Sequence, residues 1–371
     1  MDLSSPFDIA VVGGGPAGAT AARYAAAGGA RVLLIEQNRA FDKPCGGGLF
    51  LRAFDAMEIP RTLIAQEVRT IEVVSPRQHT VSVPIDAFPL GVVHRRRFDE
   101  HLRTMAEAAG ATVLEARARL VPDSAYETPT LEARTRDGEV HRIQAAHLIA
   151  ADGVNSTIRR TVLKSPPSRV MTYYAKVPDH DTDACQFWFG RDIAPGYYAW
   201  VFPHHDGAHI GGIVSDRTAA AHHREAFIQH AGLDPHLRLQ HYYIPEWDAE
   251  APMMEGKILF AGDSASLVLP FTYEGIYYAM ASGRMAAEAI LEGHPEAYPR
   301  IWDETYRRKF LFLRRLQRIF LSHDWLSERM VTLYKNPRFQ RAVIGYWSGE
   351  RVPENVWKTA VKVLKALTVY R

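Results

Sequence analysis

Residues 7–13 (FDIAVVG) form an apolar run broken only by Asp8, the pattern of a parallel strand covered on both faces. The Ala-rich stretch from Pro16 to Gly28 predicts a helix, and Arg31–Glu36 (RVLLIE) predicts the next strand. Over 98–110, Phe98, Leu102, Met105 and Ala109 recur at helical spacing and mark one buried face. Residues 146–151 (AHLIAA) predict another buried strand that ends at Asp152. Aromatic and turn residues crowd 166–215, which predicts a β-rich lobe. Lys257–Ala261 predicts a returning strand, with a helix from about Gly275 to Glu292 and mostly helical structure from about Pro299 onward. These elements assemble into an α/β chain with a nucleotide-binding unit over 1–165, interrupted at about 60–90 by strands of a middle lobe. The β-rich, substrate-binding lobe then covers 166–250, the first unit resumes at 251–298, and 299–371 is helical.

Composition changes this picture little, and charge distribution changes it more. The 371 residues carry 44 Lys and Arg against 42 Asp and Glu, yet the stretch from Pro299 to Arg371 holds 16 basic against 6 acidic residues. That segment faces either an anionic surface or solvent. Its two basic amphipathic stretches, Tyr306–Leu321 and Val356–Tyr370, predict a membrane-surface face or a face packed on the catalytic lobe. No nucleic-acid partner is expected. Two cysteines, Cys45 and Cys185, cannot build a disulfide framework, which suits a reducing compartment. The acidic N-terminus does not read as a secretory signal, and Arg314, Arg315 and Arg318 interrupt the most apolar stretch of the tail. A cytoplasmic protein, or one lying peripherally on the cytoplasmic face of a membrane, is the expectation. The adjacent pairs His204-His205 and His222-His223 lack the spacing of a helical zinc site and read as surface or loop histidines, so no metal is expected.

The strongest local signal is Gly13-Gly14-Gly15-Pro16-Ala17-Gly18, a G-x-G-x-x-G placed between a strand and a helix. Gly13 permits the tight turn, Gly15 lets the backbone approach a pyrophosphate, and Gly18 lets the helix pack against the strand. Backbone N–H groups and the positive helix end then hold the diphosphate. Glu36, followed by Gln37, ends the next strand, where its carboxylate can accept hydrogen bonds from ribose hydroxyls. This fingerprint alone leaves FAD and NAD both open.

Two distant segments favour FAD by resemblance. Residues 148–160, with Asp152-Gly153, resemble the Asp-Gly segment of the flavoproteins that include aromatic hydroxylases and geranylgeranyl reductases, and 257–265, with Gly262-Asp263, resemble their Gly-Asp segment. The resemblance implies a Rossmann-like FAD-binding domain with an inserted β-rich lobe, Asp263 on a ribityl hydroxyl, Asp152 bracing the pyrophosphate region, and Arg95 of Arg95-Arg96-Arg97-Phe98-Asp99 near the flavin or its phosphates. Three further stretches are similar to geranylgeranyl reductases in particular. They are Lys43-Pro44-Cys45-Gly46-Gly47-Gly48-Leu49, Tyr198-Ala199-Trp200-Val201-Phe202-Pro203, and Pro270-Phe271-Thr272-Tyr273-Glu274-Gly275-Ile276-Tyr277-Tyr278-Ala279-Met280. They imply that Cys45, Gly46 and Gly47 lie beside the isoalloxazine, that Tyr198 and Trp200 line the substrate side, and that Gly275 and Ile276 open a helix towards the flavin. Tyr273 stands where the family has a glycine, Ser266 where it usually has another, and Leu269 where it has an asparagine.

The resemblance implies an FAD-dependent oxidoreductase that reduces carbon–carbon double bonds of a polyprenyl group, with NADPH or a reduced ferredoxin-like protein as electron source. Such chemistry needs a hydride from reduced flavin, a proton from elsewhere, and a dry apolar slot. Cys45 is a candidate for the proton, and Tyr198, Trp200, Phe202 and Phe271 for the slot. An FAD-dependent monooxygenase of an aromatic or quinone substrate is the main rival. A flavin-dependent halogenase and a non-catalytic flavin electron carrier stand behind it.

Overall fold

The computed structural model describes residues 3–122, 124–215 and 218–350. Strand Phe7–Val12 lies inside a parallel sheet, between Val32–Glu36 and the second half of Val140–Ala150. Thr112–Leu120 continues the sheet beyond Val32–Glu36, and Ile258–Phe260 continues it beyond Val140–Ala150. The register sets Val12 level with Ile35 and with Ala150, and Ala150 level with Phe260. Four chain segments therefore leave the sheet at one edge: the glycine turn after Val12, Glu36, Ala151–Asp152 and Ala261–Gly262. In open α/β sheets the ligand crevice lies outside this carboxyl edge.

Val140–Ala150 is longer than the strand expected over 146–151. Residues 148–150 are continuously buried, whereas residues 140–146 mostly alternate between exposed and covered positions. Only the first pattern announces a parallel strand. The alternating half pairs antiparallel with Thr130–Thr135, which also pairs with residues 116–120. A second departure concerns the helix expected over 98–110, which runs from Arg95 to Ala108. Three arginines at a positive helix end argue against a helix start there. The conflict is relieved by the buried bidentate pair Arg95–Asp99, at 2.8 and 3.1 Å, one turn apart.

The β-rich lobe is a seven-stranded sheet. Its strands run in the spatial order Gln240–Pro245, Arg169–Pro178, Gly207–Val214, Ala199–His204, Cys185–Trp188, Thr70–Val74, Thr80–Pro84. The interruption at 60–90 contributes the last two of these strands. Ile64–Val68 and Leu90–Val93 join Gly48–Phe50 in a separate three-stranded sheet. Helix Ala220–His230, absent from the expectation for this lobe, covers the sheet through Phe227 and Ile228.

The tail is helical through Ser348. A π turn at Asp303–Arg307 leads into Arg308–Phe320, followed by Asp324–Leu333 and Pro337–Ser348. The face of Arg308–Phe320 carrying Phe310, Phe312, Leu313, Leu316 and Phe320 is buried within the chain. Of the two faces weighed for Tyr306–Leu321, the packed one is what the structure displays; Val356–Tyr370 lies outside the described residues. No described helix is long and apolar enough to cross a membrane.

Candidate active site

At the carboxyl edge of the parallel sheet, a cavity of about 460 Å³ runs from the glycine turn to the aromatic wall of the β-rich lobe. The turn is built by steric exclusion. A Cβ on Gly13 would stand 2.2 Å from the Ala151 carbonyl oxygen, and one on Gly18 would stand 1.8 Å from the Gly13 carbonyl oxygen. Neither position tolerates a side chain. Gly15 differs: a Cβ there would meet nothing within 4 Å, because it points into the cavity. Pro16 and Ala17 open the helix on the cavity wall, while Gly18 lies beneath the turn.

Glu36 reaches the turn from the neighbouring strand, accepting from the Gly14 N–H at 2.6 Å and the Asn38 N–H at 2.8 Å. With Gln37 it walls the cavity. Arg103, unannounced by any motif, is buried beneath this corner and donates to the Gly14 and Arg39 carbonyl oxygens at 2.9 Å each. Asp152 Oδ2 accepts from the Thr157 and Ile158 N–H groups at 2.8 and 3.3 Å, in the first turn of helix Thr157–Leu163, which Ser156 caps. Its Oδ1 is buried without a hydrogen-bond partner, and Gly153 continues the same wall. Burial pushes the Asp152 carboxyl above the usual range against the pull of these bonds.

Asp263 lines the cavity and pairs with Lys43 at 2.5 Å. Burial opposes the Lys43 charge, but Asp263 outweighs it, and the ammonium is held more firmly than usual. Gly262 lies behind Asp263, packed on Ala17 and Ala279. Cys45, Gly46 and Gly47 form the opposite side. The Cys45 Sγ accepts from the Gly47 N–H at 3.3 Å, and a Cβ on Gly46 would press on Phe202 at 2.7 Å. Arg95 stands behind them. Burial works against its charge; Asp99 and then the Cys45 sulfur outweigh that cost.

Tyr198 donates to the Thr272 carbonyl oxygen at 2.5 Å, and burial raises its phenol far above the ordinary value. The Trp200 indole N–H is buried without a partner. Tyr273 takes a φ of 53°, in the left-handed region, where a glycine costs least. Its hydroxyl accepts from Gln317 Nε2 at 3.3 Å, and its ring lies beside Tyr197 and Tyr198. Gly275 caps helix Ile276–Leu291, whose first turn reaches the cavity through Ile276.

The polar interior holds a group that the motifs did not single out. Glu274 lines the cavity, and burial raises its carboxyl, opposed by Lys309 and Arg52. Lys309 is itself lowered by burial and donates to the Tyr278 hydroxyl and the Trp347 carbonyl oxygen at 2.7 Å each. Behind Tyr198, the cavity adjoins an almost wholly apolar pocket walled by Ile71, Val73, Phe189, Phe271, Phe312 and Leu316. Phe187, Tyr198, Thr272 and Trp347 border both spaces. Trp347 and Phe312 come from the tail, where no motif flagged them.

Residues 6–304 match the model of an FAD-binding domain. The cavity fits that assignment, with space before Gly15, an unsatisfied Asp152 oxygen, and basic side chains along the wall. The chain is 31% identical to the geranylgeranyl diphosphate reductase of Rhodobacter capsulatus, over 90% of both chains. It is also 31% identical to the digeranylgeranylglycerophospholipid reductase 2 of Methanopyrus kandleri, over 85% of this chain and 86% of that one. A solved geranylgeranyl bacteriochlorophyll reductase-like protein from Thermoplasma acidophilum superposes with a TM-score of 0.81 at 27% identity, covering 98% of this chain and 99% of the other. An FAD-binding fold along most of the chain, matched by these relatives over 85% or more of its length, makes the protein a member of the geranylgeranyl reductase family of FAD-dependent oxidoreductases.

Proposed function

We propose that the protein saturates carbon–carbon double bonds of a polyprenyl, geranylgeranyl-type group. The observation that carries this reading is the apolar pocket adjoining the nucleotide cavity behind Tyr198. Its walls offer almost no polar partner, so they suit a hydrocarbon chain and exclude water from the reacting bond. Reduced FAD, when bound, supplies the hydride; NADPH or a reduced ferredoxin-like protein provides the two electrons beforehand.

The chain's own residues do the rest. Gly13, Gly15, Pro16, Ala17 and the positive end of their helix would hold the diphosphate, Glu36 and Gln37 the adenosine, Gly275 and the Ile276 helix end the flavin ring, and Asp152, Gly153, Asp263 and Arg95 the remaining polar atoms. Tyr198, Trp200 and Tyr273 orient the substrate between the two spaces. One proton must reach the carbon that does not receive hydride. Cys45 and Glu274, both on the cavity wall, are the candidates for that proton. Burial keeps Glu274 protonated at higher pH than an ordinary glutamate. The basic tail and the apolar substrate favour a cytoplasmic protein in peripheral contact with a membrane.

The test is anaerobic incubation of the reduced holoprotein with geranylgeranyl diphosphate. Flavin reoxidation with formation of the saturated product is the expected result. Turnover that strictly requires oxygen would instead identify a monooxygenase, and reoxidation only by another redox protein an electron carrier.

A further inference from the structure

The histidine pair at 204–205, read from sequence as surface or loop residues, lies in the centre of a larger cluster. His204 ends strand Ala199–His204, and its hairpin partner Gly207–Val214 carries His209. The two rings stack with centroids 3.7 Å apart, and both residues are more than nine-tenths buried. His94, the cap of helix Arg95–Ala108, brings a third ring from a distant part of the chain, 4.1 Å from His204 and 4.5 Å from His205. Asp206, at the hairpin turn, places Oδ1 3.2 Å from His205 Nδ1 and 3.6 Å from His204 Nδ1.

Both ring nitrogens of His204 and both of His209 are buried without a hydrogen-bond partner. The Val93 backbone lies close enough to His204 to favour its charged form, but it makes no well-aligned bond. Unsatisfied buried polar atoms are rare and call for an occupant. One nitrogen from each of His94, His204 and His205 can be chosen so that all three lie within 4.8 Å of one another. The same holds for His204, Asp206 and His209. Around a tetrahedral zinc-class ion, ligand atoms stand about 3.4 Å apart, so small side-chain rotations close the set.

We propose that this cluster, centred on His204 and drawing on His94, His205, His209 and Asp206, holds one divalent transition-metal ion of the zinc class. Imidazole-rich donors with a single carboxylate select such ions over calcium or magnesium, which require oxygen ligands. Neutral imidazole is the form that binds such an ion. Lys176 and Arg97 face the cluster and oppose a cation, while Asp206 supplies the compensating charge. The ion would clip the start of the Arg95 helix, which borders the nucleotide cavity, to the hairpin of the β-rich lobe.

Untagged holoprotein, stripped with EDTA and freed of chelator, is incubated with zinc chloride and passed through gel filtration, and metal is counted by mass spectrometry. About one zinc per chain is expected, with a higher melting temperature than the stripped protein. His205→Ala and Asp206→Asn alter exposed side chains and so leave folding intact; each is expected to weaken zinc binding by about tenfold or more. His204→Ala is expected to abolish it. His222→Ala, in the exposed pair with Asp192, serves as the control and should bind as wild type. Failure of the wild type to retain zinc, or equal retention by His205→Ala, Asp206→Asn and wild type, would overturn the proposal. None of these readings depends on reductase activity.

Discussion

Lys43 and Asp263, 220 positions apart in the chain, meet at 2.5 Å on the wall of the nucleotide cavity. The pair locks the glycine-rich segment 43–48 onto the Gly-Asp turn, so this side of the cavity is held by both segments. Lys43→Met leaves a partly buried carboxylate without its counter-charge, a loss of about 1–3 kcal/mol. FAD affinity, followed by flavin fluorescence, is expected to fall about tenfold or more, with a lower melting temperature of the apoprotein.

The glycine turn separates folding from binding. Gly18→Ala drives a methyl into the Gly13 carbonyl oxygen and should yield an unstable, colourless protein. Gly15→Ala meets open space at an ordinary φ of −75°, so the apoprotein should melt as wild type. Its methyl nevertheless occupies the room that a diphosphate would need, and FAD affinity is expected to fall by about tenfold to a hundredfold. Equal FAD affinity in Gly15→Ala and wild type would remove the diphosphate from this position.

Glu274 carries a pH dependence whose sign follows from burial. Its acid form persists below its raised pKa, so a rate that needs its proton falls as pH rises through that value. Glu274→Gln should lose about a hundredfold in kcat and lose this alkaline limb. Because Lys309 lowers the Glu274 pKa, Lys309→Met is expected to move the limb to higher pH. A limb unmoved in both variants would exclude Glu274 as the proton source.

Cys45 is tested by Cys45→Ser at matched FAD content. A hydroxyl is a poorer acid than a thiol, so a proton-donor role predicts a fall in kcat of about tenfold or more. Undiminished turnover would leave Cys45 a spatial role beside Arg95 only.

Local sequence determined the parts whose physics is local. The glycine spacing marked the turn at 13–18 because a Cβ at Gly13 or Gly18 would collide with the backbone, and the apolar runs at 7–13 and 31–36 marked strands buried on both faces. The order of segments, together with their likeness to one flavoprotein family, supported the fold and the cofactor. The start of the Arg95 helix was hidden because its first turn repels the helix end until Asp99 answers it. Contacts made across the chain left no local trace. Arg103 under the glycine turn, Glu274 facing Lys309, the tail residue Trp347 at the apolar pocket, and His94 beside His204 each depend on two segments arriving together. Backbone sterics and periodic burial are written into neighbouring residues, whereas electrostatic and ligand-binding partnerships exist only once the tertiary structure has brought distant residues within a few ångströms.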